Sequence, residues 1–280
     1  MTAERNNITT ENPREEFGET DRLQDNNEEN DEETKRTCKE TCLYVMKNIT
    51  VEPSTFLFIL GIIISVLTSQ NLSIEKACRV NLNFTTEICD ALRAQTLGDQ
   101  NAYERAVQRL VAQAMAWKTY ITASIPCMLA LFIGSFSDKT GYRIFFLCYA
   151  VTGQCLVCVN GIINTYFLKQ TNLEIFVISE ALIDGLSGSW CIIFLTSYSF
   201  ISAITTDTDR TFRMGLLSFS ITVGFPIGMG VSGILLKTIG FYGCYGLSGG
   251  LHFMNLLYTI FFVKDPKRTP EHKLVSVENT

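Results

Sequence analysis

The chain changes abruptly in its pattern of polar and apolar positions near residue 51. Up to about residue 47 the sequence is dense in acidic residues and contains few large apolar ones. From Phe56 onward, long apolar runs alternate with short charged patches, and each run approaches the roughly 20 residues that cross the hydrocarbon core of a bilayer. Six such runs are recognised, at about Ser54–Leu72, Trp117–Phe136, Arg143–Leu168, Leu173–Ile204, Phe212–Leu236 and Phe241–Val263.

These runs predict helices rather than strands. Every backbone polar group inside lipid must find a partner within the protein, and the strict alternation of a barrel strand is absent from the runs. We therefore predict an all-α membrane protein, a bundle of six transmembrane helices embedded in the lipid bilayer. The predicted organisation is a cytosolic leader at 1–47, a helical domain at 48–264 that includes a long loop at 73–116, and a tail at 265–280.

Composition changes the picture mainly in the leader. The chain is 47% hydrophobic overall, but residues 1–36 cannot bury enough apolar surface to offset the entropy of ordering, so we predict that they are disordered. The acidic leader gives no reason to expect a nucleic-acid partner. We predict no cofactor and no metal: the C-x-x-C pair Cys155 and Cys158 lies inside a helix, where small packing residues are the better interpretation.

The basic residues of the short loops predict the orientation of the chain. Lys139 and Arg143 follow the second run, Arg210 and Arg213 follow the fourth, and the tail is also basic. Short cytosolic loops carry an excess of lysine and arginine, so both termini are predicted in the cytosol, with the protein in the plasma membrane or the lysosomal membrane.

The loop at 73–116 then lies on the non-cytosolic side, where oxidising chemistry is available. Asn83 begins the sequon Asn-Phe-Thr and is a candidate for glycosylation. Cys78 and Cys89 are candidates for a disulfide bond in that compartment. A partner outside this chain is an equal alternative for either cysteine.

The loop between the second and third runs carries a motif. It begins at Gly134 and reads GSFSDKTGYR, which resembles the G-x-x-x-D-x-x-G-R-R signature of the major facilitator superfamily. Gly134 suits close helix approach, Asp138 a helix terminus, Gly141 a tight turn, and Arg143 the anionic membrane surface. An ordinary positively charged turn is the alternative, and Tyr142 in place of the first arginine weakens the carry-over of a gating ion pair.

A second stretch narrows the resemblance. Residues 209–217 read DRTFRMGLL, with Arg210 and Arg213, and are similar to the solute carrier family of the proton-coupled folate transporter. The resemblance implies one half of a twelve-helix fold, secondary transport of a small organic solute, and gating roles for the loop motif and these arginines. Ser218 stands where the folate transporter has a coupling glutamate, so neither folate nor proton coupling is carried over to this chain.

Ionisable residues inside the fourth and sixth runs are the candidates for proton coupling. Glu180 and Asp184 are four residues apart and share one helix face, where low dielectric disfavours double ionisation. His252 is the histidine of the sixth run. The alternatives are that Asp184 bonds a neighbouring helix, that Glu180 faces a vestibule, and that His252 is a packing residue.

Two other functions compete with transport. A rhomboid-like intramembrane serine protease would use Ser187 in Gly185–Gly188 together with His252. A truncated or regulatory half-transporter would have no transport of its own and would act with a second six-helix half or as a homodimer. We favour the carrier, because the protease leaves both motifs unexplained.

Overall fold

The computed structural model describes residues 49–94, 102–140, 142–205 and 207–264, which are helical with no strand in these ranges. The predicted leader at 1–47 and tail at 265–280 lie outside the described residues. The elements are α1 Glu52–Lys76 with a π-helical extension Ala77–Asn81, α2 Thr86–Arg93, α3 Ala102–Thr140, α4 Arg143–Tyr166, α5 Leu173–Ser187, α6 Ser189–Ile204 and α7 Asp207–Phe262.

Five of the described segments are long and apolar enough to cross a membrane. The last of them consists of two helices that are joined at a kink. Its 56 residues would extend about 84 Å as one helix, far more than the ~30 Å hydrocarbon core. The backbone leaves helical geometry at Gly240, with φ 66° and ψ −170°. We name the two parts α7a (207–239) and α7b (241–262), and with them the predicted bundle of six spans is confirmed.

The predicted fourth helix is wrong as a single element, because it breaks at Gly188. Gly188 adopts a left-handed conformation with φ +78°, and Ser189 follows with φ +48°. The Gly188 amide donates to the Gly185 carbonyl, which ends α5, and α6 begins at the next residue. The two helices belong to one span, because residues 173–204 together are long and apolar enough to cross the membrane.

Most of the described residues of the predicted loop at 73–116 are helical, so this connection between the first two spans is folded. The Cys78–Cys89 disulfide ties the extension of α1 to α2, and we call residues 73–94 the cap. Arg79 bridges Glu75 and Asp90 within the cap. Paired cysteines and charges order this polar sequence where hydropathy alone predicts none.

Close packing of α1 against α7 forms the centre of the bundle. A Cβ on Gly224 would lie 2.9 Å from Ile59, and one on Gly228 would lie 2.9 Å from Ile63, so only glycine permits this approach. By contrast, the most apolar window of α3 is 11% buried and that of α7 is 17% buried. These two helices present most of their apolar surface outward.

Candidate functional site

Glu180 lies at a meeting point of four helices inside the bundle. Its side chain is 4% exposed, and its Oε2 pairs with Lys118 Nζ of α3 at 2.8 Å. The Ser69 hydroxyl of α1 donates to Glu180 Oε1 at 2.6 Å, and it also bonds the Tyr245 hydroxyl of α7b at 2.9 Å. We call these four residues the Glu180 cluster.

The Glu180 cluster neutralises a carboxylate in a place where an isolated charge would be costly. Burial of an ion is tolerated when it is paired and hydrogen-bonded, and both conditions hold here. Sequence reasoning identified Glu180 but missed Lys118, Ser69 and Tyr245. Lys118 had a visible signal, since it is a lysine at the start of the second apolar run.

Asp184 lies one turn further along α5 and has a different set of partners. Gln154 of α4 donates to its Oδ1 at 2.6 Å, and the Ser189 hydroxyl donates to its Oδ2 at 3.1 Å. Ser189 begins α6, so Asp184 spans the break at Gly188. The two carboxylates share a face of α5, as the spacing indicates, but each has its own hydrogen-bond partners.

A second buried ion pair joins the opposite end of α1 to α7a. Arg213 Nη2 lies 3.0 Å from Glu52 Oε1, with side-chain exposures of 7% and 3%. Arg213 also donates to the Thr50 hydroxyl at 3.2 Å, and the Thr50 amide donates to Glu52 at 2.9 Å. Sequence reasoning named Arg213 as a gating residue but did not assign Glu52 as its partner.

The other gating candidates are described only in part. Arg143 Nε donates to the Ser199 hydroxyl of α6 at 2.9 Å, and Arg210 is partly buried near the start of α7a. Gly141 and the side chain of Asp138 lie outside the described residues. A Cβ on Gly134 would meet nothing within 4 Å in the described part of the chain.

His252 is fully buried in α7b, but it does not join the Glu180 cluster directly. Its ring packs edge-on to Phe58 of α1, with centroids 5.5 Å apart. Within the described residues, neither ring nitrogen has a hydrogen-bond partner. The serine–histidine pair of the protease hypothesis is therefore absent, because the Ser187 hydroxyl donates to the Asp184 carbonyl at 2.9 Å instead.

The cap carries the two remaining candidate features. Cys78 and Cys89 are joined, with Cα atoms 5.9 Å apart. Asn83 is exposed between the α1 extension and α2, with φ +50°.

Comparison with known proteins identifies the family. The model of the Major Facilitator Superfamily matches residues 54–278, which is more than half of the chain. The chain belongs to the Major Facilitator Superfamily. It is thus a multi-pass helical membrane protein of a transporter family, and this membership does not favour an enzyme.

A relative within the superfamily confirms the resemblance to a solute carrier. The proton-coupled folate transporter of Rattus norvegicus is 25% identical over 229 residues, which cover 78% of this chain and 47% of the transporter. The chain therefore spans about half the length of the curated relative it matches. Ser218, compared above with that solute carrier family, bonds the Tyr198 hydroxyl at 2.8 Å.

Proposed function

We propose that this chain forms one six-helix half of a major-facilitator-type secondary carrier that moves a small organic solute together with protons. The observation that carries the proposal is the Glu180 cluster, a buried ion pair with two hydroxyls that joins α1, α3, α5 and α7b. Ionisable groups at this depth are expensive and are found mainly where a solute or proton passes.

Asp184 is the residue that we propose as the carrier of the coupled proton. Glu180 is neutralised by the ammonium group of Lys118, whereas the described hydrogen bonds to Asp184 come from the neutral groups of Gln154 and Ser189. Protonation of Asp184 would remove a charge without leaving a buried cation unpaired. It would also alter the contact across the Gly188 break, and so connect proton binding to the geometry of the α5–α6 span.

The gate of the proposed carrier lies at the other end of α1. The Glu52–Arg213 ion pair holds α1 to α7a. We propose that this pair breaks and re-forms during the transport cycle, and that Arg143, Arg210 and the loop motif take part in the same gating movement. In transporters with two related halves, substrate binds near the midplane between the halves, which rock around it. The outward apolar surfaces of α3 and α7a are where a second half, or a second copy of this chain, would pack.

The chain as a regulatory half without transport of its own is the second candidate. It is supported by the length of the match, since the chain covers 47% of the folate transporter. In either case we propose that the protein resides in the plasma membrane or the lysosomal membrane, with both termini in the cytosol and a glycan on Asn83.

Uptake into reconstituted vesicles tests the proposal. The purified chain is assayed at two external pH values with labelled organic solutes, beginning with folate because of the relative's function. We expect uptake to rise with an inward proton gradient and the Asp184→Asn variant to lose this dependence while still reaching the membrane. Gln154→Leu is a control variant that keeps the Asp184 carboxylate. Unchanged pH dependence of uptake in Asp184→Asn would remove Asp184 from the mechanism. Absence of uptake by the unsubstituted chain would favour the regulatory half.

A further inference from the structure

Helices α1 and α7b pack antiparallel in a fixed register. The Ser54 and Thr259 hydroxyls lie 3.1 Å apart near one end, and the Ser69 and Tyr245 hydroxyls lie 2.9 Å apart near the other. Between them, the Ser248 hydroxyl donates to the Gly61 carbonyl at 2.7 Å. Contacts further along α1 fall at earlier residues of α7b, which shows that the two helices run in opposite directions.

The α7b side of this contact consists of polar residues. They recur at spacings of three and four, which keeps them on one helix face, and all of them are fully buried. They are Tyr245, Ser248, His252, Asn255 and Thr259, at 0% exposure each. We call this line, with its partners on α1, the polar seam; it extends from Ser54 to Ser69, or about 22 Å along the helix axis.

The middle of the polar seam is not satisfied by protein groups. Within the described residues, neither nitrogen of His252 and neither amide atom of Asn255 has a hydrogen-bond partner. The backbone approaches closely here, since a Cβ on Gly61 would lie 2.8 Å from His252 Nε2. Buried polar groups in native proteins are nearly always bonded, and where protein partners are lacking, buried water supplies the bonds.

We propose that His252 and Asn255 bind buried water, and that the polar seam is a proton path between the Glu52–Arg213 end of α1 and the Glu180 cluster. The hydration of the seam stands on its own, whereas the use of the path in transport rests on the proposed function. At the Ser69 end the seam is already in direct contact with the charged groups, because Tyr245 bonds Ser69, which donates to Glu180.

His252 can pass a proton from one water to the next without a net change in its own charge. A protonated water gives its proton to one ring nitrogen, the opposite N–H gives its proton to the next water, and the ring ends neutral in its other tautomer. Rotation of the ring restores the first tautomer, so that a second proton can pass in the same direction, and no group is consumed. The titratable or charged groups in the described contacts along the seam lie on both helices and their neighbours. They are Cys158 beside Ser248, Cys244 beside Thr68, Tyr245, Tyr258 beside Thr50, Glu180 with Lys118, and Glu52 with Arg213.

The water around His252 can be measured selectively, because the chain has few histidines that would contribute to the signal. The chain has two, His252 and His272, so a His272→Gln variant labelled with 15N-histidine reports on His252 alone. In lipid bilayers, solid-state NMR would follow magnetisation transfer from water to the ring nitrogens and the exchange of ring protons after transfer to D2O. We expect rapid transfer and exchange, both slowed severalfold by Asn255→Leu and unchanged by Asn160→Leu, a matched substitution in α4.

A ring that receives no magnetisation from water and does not exchange its protons would overturn the proposal. A His252→Phe variant tests the path in transport: gradient-driven uptake should be lost while solute counterflow, which needs no net proton movement, continues. Gradient-driven uptake that persists in His252→Phe would contradict the path. If the unsubstituted chain shows no uptake, the proposed function fails, and the exchange of the His252 ring still decides whether protons reach the seam.

Discussion

At the scale of single residues, position on a helix does not determine what an acidic side chain does. Glu180 and Asp184 are one turn apart on α5, but Glu180 meets a lysine from α3 while Asp184 meets neutral groups from α4 and α6. The difference comes from which neighbouring helix each side chain faces. Burying an ion pair costs desolvation free energy, and the attraction between the two charges offsets this cost only when both partners are present.

Removal of Lys118 alone should therefore be more harmful than removal of the whole pair. Lys118→Met leaves Glu180 buried with Ser69 as its remaining donor in the cluster, and breaking a buried pair in this way costs about 3–5 kcal/mol. The double variant Lys118→Met with Glu180→Met should regain most of this stability. Thermal unfolding in detergent measures both, with the exposed Lys237→Met as the matched control; a double variant as unstable as the single one would show that the pair is not the source of the effect.

The residue scale also shows where prediction from sequence succeeds. A spacing of four in an apolar run is sufficient to predict that Glu180 and Asp184 share a face, because helix geometry alone fixes it. The partners of these residues, Lys118, Ser69 and Tyr245, come from helices distant in sequence. Their meeting depends on how the helices pack, and neither periodicity nor composition contains that information.

At the scale of elements, glycine decides where a span is broken and where two spans meet. The four residues Gly-Leu-Ser-Gly occur at both 185–188 and 246–249, yet the chain breaks at Gly188 and stays helical through the second copy. These four residues are the same in the two places, so they do not determine the break by themselves; the flanking residues, such as Asp184 and Ser189, and the surrounding helices must contribute. This is why the existence and order of the spans could be predicted, whereas the break in the fourth could not.

Glycines of α7a also offer a matched test of helix packing. A side chain at Gly228 must displace Ile63 of α1, since a Cβ would lie 2.9 Å from it, whereas a Cβ at Gly230 would meet nothing within 4 Å. Gly228→Leu should lower stability by about 1–3 kcal/mol through overpacking. Gly230→Leu should be tolerated, and thermal unfolding of the two variants, measured by fluorescence-detected gel filtration, provides the comparison. Equal losses in the two variants would contradict the α1–α7a contact.

At the scale of the whole molecule, α1 is fastened at both ends while two other helices are left uncovered. At one end the Lys76 ammonium group donates to the Thr171 hydroxyl at 2.6 Å and to its carbonyl at 3.1 Å. At the other end the Glu52–Arg213 pair joins α1 to α7a. On the proposed function, breaking the Glu52–Arg213 pair would release one end of α1 while the Lys76 end stays fastened, and the outward faces of α3 and α7a are where a second half would rock against this one.

The reversal of the chain at Gly240 determines the topology, and a pair of tags can test it. If α7a and α7b are separate spans, the described segments cross the membrane six times, and tags on the two termini must lie on the same face. Protease protection of tagged chains in sealed microsomes, with and without detergent, measures this. A glycan on Asn83 would be an independent marker of orientation, because it would place the cap on the non-cytosolic side. A glycosidase would then lower the apparent mass of the chain, and the Asn83→Gln variant would not show this shift. Tags on opposite faces would show an odd number of spans and would contradict α7a and α7b as two separate crossings.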